Sequence, residues 1–318
     1  MRKTRKHKQT LTIITPIFNE EESLISFLNS LEVALYNISE GLDLHLCAIN
    51  NGSQDSTLEL LKGYKPSVFS MSYITLTRNF GYESAFEAGL RSIKSDIYVL
   101  MDADGEDPPE VLISFYEALI SGYELAFGIR GQRYEARSVQ VLRKGFYKIL
   151  HLLSDEPFNK NVGEFSMFTK LVRDSILRDN NSYPFFRSSL ARVGFPSLGI
   201  LHNRNARIAG KSKLNKRRMF KFALGGLLST TTSPLRISAY LLVLVLPLHF
   251  LFLILYFLLN LQWQNYLVIL GYSICSLATA VGALAIYQAR IYKNLLMRPN
   301  YVINPKETSM NRKIVDYE

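Results

Sequence analysis

The sequence predicts an α/β protein with a mostly parallel, Rossmann-like sheet, joined to an amphipathic interface helix and two transmembrane helices. Three observations lead there. Short apolar runs of β type alternate with helically spaced segments through the first half of the chain, the pattern of parallel strands joined by crossover helices. The ends of those runs collect polar side chains. Beyond Ser233, two long stretches carry almost no charge.

Leu11–Pro16 reads as a first strand that ends at a proline. Glu20–Tyr36 follows with helical spacing, aligning Leu24, Phe27, Leu28, Leu31, Ala34 and Leu35 on one face. Leu42–Ile49 is a second strand, closed by the turn Asn50-Asn51-Gly52-Ser53. Asp55-Ser56-Thr57 opens a helix, with Ser53 or Asp55 as its cap. Ser72–Leu76 is a third strand, Ser84–Ile93 a helix, Ile97–Met101 a fourth strand, and Pro109 starts the next helix. Leu125–Gly128 is a further strand.

The chain divides accordingly: a basic arm over 1–10, an α/β domain over 11–212, an amphipathic helix over 213–234, a helical hairpin over 235–290 and a tail over 291–318. With 318 residues there is enough chain for one or two cored domains. The net charge of +10 suits an anionic membrane face, phosphorylated substrates or nucleic acid, but no run resembles a nucleic-acid module. The two cysteines, Cys47 and Cys275, suggest neither a disulfide framework nor a zinc site, so a reducing compartment is expected. The basic start, Met1 to Lys8, is not followed directly by a long apolar stretch and is not a secretory signal.

Ile237–Leu259 and Tyr266–Tyr287 each supply the roughly 20 apolar residues that cross a bilayer. The linker Asn260–Asn265 has no basic residue, whereas Lys211, Lys213, Lys216, Arg217, Arg218, Lys221 and Arg236 precede the pair. Arg290, Lys293, Arg298, Lys306, Arg312 and Lys313 follow it. Both termini and the large domain are therefore expected on the cytoplasmic side of an inner or plasma membrane. His249, inside the first stretch, is read as a helix-packing hydrogen bond.

Most telling is the segment Asp102-Ala103-Asp104-Gly105-Glu106-Asp107 after the apolar run Tyr98–Met101. A strand that ends in carboxylates delivers them to the carboxyl edge of a sheet, where open α/β folds bind ligands. Asp102 and Asp104 are two apart, so their oxygens can converge on a Mg²⁺ or Mn²⁺ that also holds a diphosphate. A solvated acidic turn is the alternative. Asn19 and Glu20, Asn50 and Asn51, and Arg78 and Asn79 end three other strands, and together these ends describe a nucleotide crevice.

In order along the chain, these pieces resemble the family-2 glycosyltransferases of the GT-A fold, and within them the membrane polyisoprenyl-phosphate glycosyltransferases. The matching segments are Thr15–Glu20, Asn51–Thr57, Arg78–Gly81, Met101–Asp104 with Asp107–Glu110, Gly163–Phe165, Arg207–Lys213 and the two apolar stretches. The resemblance implies transfer of a hexose, with UDP-glucose as the expected donor, onto undecaprenyl or another polyprenyl phosphate. It also implies a homo-oligomer, a tetramer in the relatives. By the same resemblance Pro16, Asn19, Glu20, Asn50, Asn51, Arg78 and Asp102 hold the nucleotide, and Asp102, Asp104 and Glu106 hold the metal. Asp102, Asp104 and Glu164 form the catalytic set. Three departures stand out: Asn50 and Asn51 replace two usual aspartates, Glu164 a usual aspartate, and Ser166 a usual arginine.

A lipid monophosphate is already anionic near neutral pH, its second pKa being about 6, so the reaction needs no strong base. It needs cations near the bilayer. Arg207, Lys211 and Lys213, with Ser212 as a hydroxyl donor, are the first candidates, and Arg130 and Arg133 the second. GDP-mannose or a modified pentose donor remains open, as does an inactive nucleotide-sugar-binding scaffold. A nucleotidyltransferase would not need the spans, and a processive synthase would need more of them.

Overall fold

A computed structural model of the chain describes residues 8–131, 145, 164–178, 184–205, 231–259 and 263–310. Its centre is a seven-stranded sheet in the order β3-β2-β1-β4-β6-β5-β7. β1 (Gln9–Ile17), β2 (Leu42–Asn50), β3 (Ser70–Thr75) and β4 (Ile97–Leu100) are mutually parallel, as the alternating pattern predicts. β5 (Leu125–Arg130) and β7 (Ser197–His202) also run parallel to each other, while the short β6 (Ser166–Thr169) is antiparallel to both β4 and β5. The chain turns from β1 to β2 on one side and places β4 on the other. This is the switch point where open sheets leave a crevice.

α1 (Leu24–Tyr36), α2 (Thr57–Gly63), α3 (Tyr82–Ser92) and α4 (Val111–Ile120) cover the first strands. α1 buries the expected stripe of Leu24, Phe27, Leu28, Leu31, Ala34 and Leu35. Phe27 is fully buried, so truncation to alanine costs about 3–5 kcal/mol. α3 lies close against the sheet because Gly89 has no side chain: a Cβ there would fall 2.4 Å from an Ile14 methyl. α5 (Lys170–Leu177) and α6 (Phe186–Arg192) pack beyond β6. Strand and helix ends match the sequence expectation or differ from it by up to four residues. β1 runs through Pro16 to Ile17, since Pro16 still aligns with Ile49 across the β1–β2 pair.

Two long helices follow, α7 (Ser233–Leu259) and α8 (Trp263–Leu295). They lie against each other, with His249 Nδ1 3.0 Å from Ser273 Oγ and the Tyr287 hydroxyl donating to the Thr231 carbonyl at 2.7 Å. Among the described residues one stretch, Leu270–Leu295, is long and apolar enough to cross a bilayer, and only 6% of its most apolar window is buried. It begins four residues later than the second stretch read from the sequence and runs eight residues further. The amphipathic helix expected over 213–234 lies almost wholly outside the described residues.

After α8 the chain returns to the sheet. Leu76 pairs with Ile303 and Tyr73 with Ser309, both antiparallel, so the tail covers the β3 edge. An uncovered edge would be a row of unpaired amides and carbonyls.

Candidate active site

At the carboxyl ends of β1 and β4 lies a cavity of about 300 Å³. Pro16, Ile17, Phe18 and Glu20 line it from the end of β1, and Asn51 from the turn after β2. Asn79 and Tyr82 come from the β3–α3 connection, and Asp102, Ala103 and Asp104 from the loop after β4. The structure thus gathers Pro16, Glu20, Asn51, Asp102 and Asp104 of the sequence-predicted set.

The asparagine turn is built into the wall. The Asn51 amide oxygen accepts from the Phe80 amide at 3.0 Å, while its Nδ2 donates to the Gly81 carbonyl at 3.0 Å and reaches Asn79 Oδ1 at 3.4 Å. An aspartate could only accept. Gly52, at φ +72°, brings the two loops together: a Cβ there would meet the Arg78 carbonyl carbon at 2.5 Å. Asn50 is buried beneath, with Oδ1 accepting from the Ser53 amide at 3.0 Å and Nδ2 without a hydrogen-bond partner among the described residues. Asn19 Oδ1 accepts from the Gln54 amide at 2.8 Å. Arg78 is exposed, its guanidinium 3.9 Å from the Phe80 ring centroid. Asn19, Asn50 and Arg78 therefore stand behind or beside the cavity lining.

On the opposite wall negative charge accumulates. The Tyr82 hydroxyl donates to Asp102 Oδ1. Burial, then the charge of Glu164, push the Asp102 carboxyl up to about 7, with Asp104 and Asp107 adding to the rise and the Tyr82 bond opposing it. Glu83, in the first turn of α3, accepts from the Phe186 amide at 2.9 Å through Oε2, and its buried Oε1 has no hydrogen-bond partner among the described residues. Burial and Glu164 push it to about 8. Glu164 thus acts electrostatically on Asp102, Tyr82 and Glu83 from the residues just before β6.

Farther along the same loop the carboxylates are paired. Asp107 Oδ1 lies 3.1 Å from His202 Nε2 and accepts from Arg204 Nε at 2.9 Å, and Oδ2 accepts from Arg204 Nη2 at 3.0 Å. Arg130 comes within 4.0 Å. Burial would raise the Asp107 carboxyl, but the His202 and Arg204 hydrogen bonds and the two guanidinium charges hold it down at about 2. Glu106 Oε2 accepts from Arg204 Nη1. So Glu106 and Arg130 meet in this network with His202 and Arg204, which no local sequence pattern marks. Arg133, Arg207, Lys211, Ser212 and Lys213 lie outside the described residues.

Among the described residues no three His, Cys, Asp or Glu side chains form a ready-made metal-ligand group. Asp102 and Asp104 nevertheless face one cavity, and Asp102 is charged only against the pull of burial and neighbouring carboxylates. A divalent cation fits that deficit of positive charge. Asp104 Oδ1 also accepts from the Glu106 amide at 3.1 Å, which fixes its rotamer.

The model of the family described as "Glycosyl transferase family 2" matches residues 12–180, just over half of the chain. An uncharacterized glycosyltransferase of Bacillus subtilis is 26% identical, over 95% of this chain and 96% of its own length. The SfII prophage-derived bactoprenol glucosyl transferase of Shigella flexneri is 29% identical, over 92% of this chain and 97% of its own. Among solved structures, glucosyl-3-phosphoglycerate synthase of Mycobacterium tuberculosis is 17% identical, covers 70% of this chain and 79% of its own, and has a TM-score of 0.46. The carboxylates after β4, the crevice they face and the matched sequence model agree, and the chain belongs to glycosyl transferase family 2.

Proposed function

We propose that the protein is a metal-dependent, inverting glycosyltransferase that moves a hexose, glucose from UDP-glucose in the leading case, onto a polyprenyl phosphate at a membrane face. The observation that carries this reading is the pairing of a crevice holding Asp102 and Asp104 with two long, largely exposed apolar helices on the same chain. The bactoprenol glucosyl transferase named above supports both the sugar and the lipid.

Asp102 and Asp104 would hold Mg²⁺ or Mn²⁺, which when bound offsets the charge that develops on the departing diphosphate. The Tyr82 hydroxyl holds the Asp102 carboxylate in one orientation. Pro16, Glu20 and Asn51 shape the nucleotide end of the cavity. The acceptor phosphate oxygen is anionic already and attacks C1 directly, forming the C1–O bond as the bond to the diphosphate oxygen breaks, so the anomeric centre inverts. Glu164 then positions groups by its charge and removes no proton. Arg130, at the end of β5, is the described member of the acceptor proposal, and Arg133, Arg207, Lys211, Ser212 and Lys213 complete it from the sequence.

The sheet topology supports a reading with two crossings. Residues before α7 and after α8 both join the one sheet, through β7 and through the Ile303 and Ser309 pairings. A single crossing by α8 would put those ends on opposite sides of the bilayer. The basic flanks support a cytoplasmic location for that shared side.

Purified protein, undecaprenyl phosphate and a panel of UDP- and GDP-sugars, scored by mass spectrometry and anomeric NMR, test the proposal. We expect a β-linked polyprenyl-phosphate hexose from an α-linked donor. An α-linked product would refute inversion, and release of pyrophosphate would refute glycosyl transfer.

A further inference from the structure

The tail does more than cover an edge. Asn304 donates its amide to the Thr75 carbonyl at 2.7 Å, the Thr77 amide donates to the Val302 carbonyl at 2.9 Å, and Ser309 exchanges backbone bonds with Tyr73 at 2.9 and 3.0 Å. Thr75 donates its hydroxyl to the Glu307 carbonyl at 2.7 Å and its amide to Thr308 Oγ1 at 3.1 Å. Ile303 packs against the buried layer beneath α3 that includes Ile74 and Phe86. The last of these bonded positions, Thr77, leads directly into Arg78–Gly81, the loop that Asn51 grips from the cavity side. The loop is therefore held from two directions: by the Asn51 amide within, and by the returning chain without. Upstream of the pairing, Asn300 Nδ2 donates to Glu87 Oε2 on α3 at 2.8 Å, so the end of α8 is fastened to the helix that carries Tyr82.

We propose that the segment Tyr301–Ser309 is a working part of the donor site, an added edge strand that holds the Arg78–Gly81 loop in the shape a nucleoside diphosphate meets. It couples the seating of the helical hairpin to donor affinity and leaves the acceptor end alone. The inference rests on the reading of the cavity as a nucleotide-sugar site.

Three proteins test it: the full chain, a chain ending at Asn300 that keeps both long helices, and the full chain with Asn304→Pro, which removes the amide bonded to Thr75. UDP affinity is measured by calorimetry with Mn²⁺, acceptor KM with undecaprenyl phosphate, and backbone exchange across residues 76–82 by mass spectrometry. We expect UDP binding to weaken about tenfold in both variants, acceptor KM to stay within about twofold, exchange across 76–82 to rise, and a peptide of residues 300–310 to restore binding to the shortened chain. Unchanged UDP affinity with unchanged exchange would overturn the inference. So would parallel losses in UDP affinity, acceptor KM and thermal midpoint with no recovery on adding the peptide. Should the full chain bind no UDP, the reading of the cavity fails by itself, while the exchange comparison, which needs no nucleotide, still decides whether the segment grips the loop.

Discussion

Asp102 and Asp107 leave the same strand, five residues apart in one loop, and meet opposite surroundings. Asp102 faces the cavity among Asp104 and Glu164, with a tyrosine hydroxyl as its hydrogen-bond donor, and its carboxyl is pushed up to about 7. Asp107 is clasped by His202, Arg204 and Arg130 and is held at about 2. Among the described residues, one half of the loop is dominated by neighbouring carboxylates and the other by guanidinium and imidazole partners. The difference separates the two tasks of the loop: the half clasped by Arg204 and His202 fixes its shape, and the half facing the cavity meets a charged reactant.

Removing charge from the cavity-facing half should therefore damage catalysis and spare the fold. For Asp104→Asn, which keeps an oxygen for the Glu106 amide, we expect turnover to fall about 10³-fold or more. The thermal midpoint should hold or rise, because a repelling charge is gone. Steady-state kinetics and a melting curve check both.

The paired half should behave in the reverse way. Asp107→Ala leaves His202 without its carboxylate and Arg204 with Glu106 alone. The loss should be about 3 kcal/mol, at the low end for a broken buried pair because the Arg204 side chain is 26% exposed. Denaturant unfolding measures it. The sign of the pH dependence follows from the depressed pKa. The contribution of Asp107 is complete above the ordinary carboxylate value of about 4 and fades as pH falls toward 2. The variant should lose that acid-limb dependence.

Glu164 sharpens the comparison, since it raises its neighbours without sharing their cavity lining. Glu164→Gln should lower turnover by less than about tenfold. A fall of about 10³-fold that recovers at higher pH would make Glu164 a base instead. Glu83 gives the smallest effect. Its folded-state carboxyl is raised to about 8, so the native state binds the extra proton, and stability should decline as pH rises from about 4 toward 8. Glu83→Gln should flatten that slope and raise the melting temperature at pH 8.

Much of this was open to reading in the chain. The stripe from Leu24 to Leu35, the parallel strands β1 to β4 and the acidic end of β4 follow from periodicity and from clustered carboxylates, which are local signals. The cavity brought Asp102, Asp104, Glu20 and Asn51 together because strand ends share one edge of a parallel sheet. β6, with four residues and an antiparallel pairing, carried no usable period. His202 and Arg204 lie nearly a hundred residues from Asp107, and their pairing depends on β7 lying beside β5. The closing pairings of Ile303 and Ser309 with β3 were equally silent, being backbone bonds between segments over two hundred residues apart. The two asparagines at the end of β2 were visible as a departure from the family. Only the geometry gives Asn51 its reason: a side chain that must donate and accept at once to close the Asn79–Gly81 loop.

The most direct measurement is transfer of glucose from UDP-glucose to undecaprenyl phosphate by chelator-treated enzyme, with and without Mn²⁺ returned. We expect product formation to vanish on chelation and to recover with the ion in the wild type but not in Asp104→Asn. Full-rate transfer by the stripped enzyme, or by Asp104→Asn, would contradict a cation site at the open half of the loop.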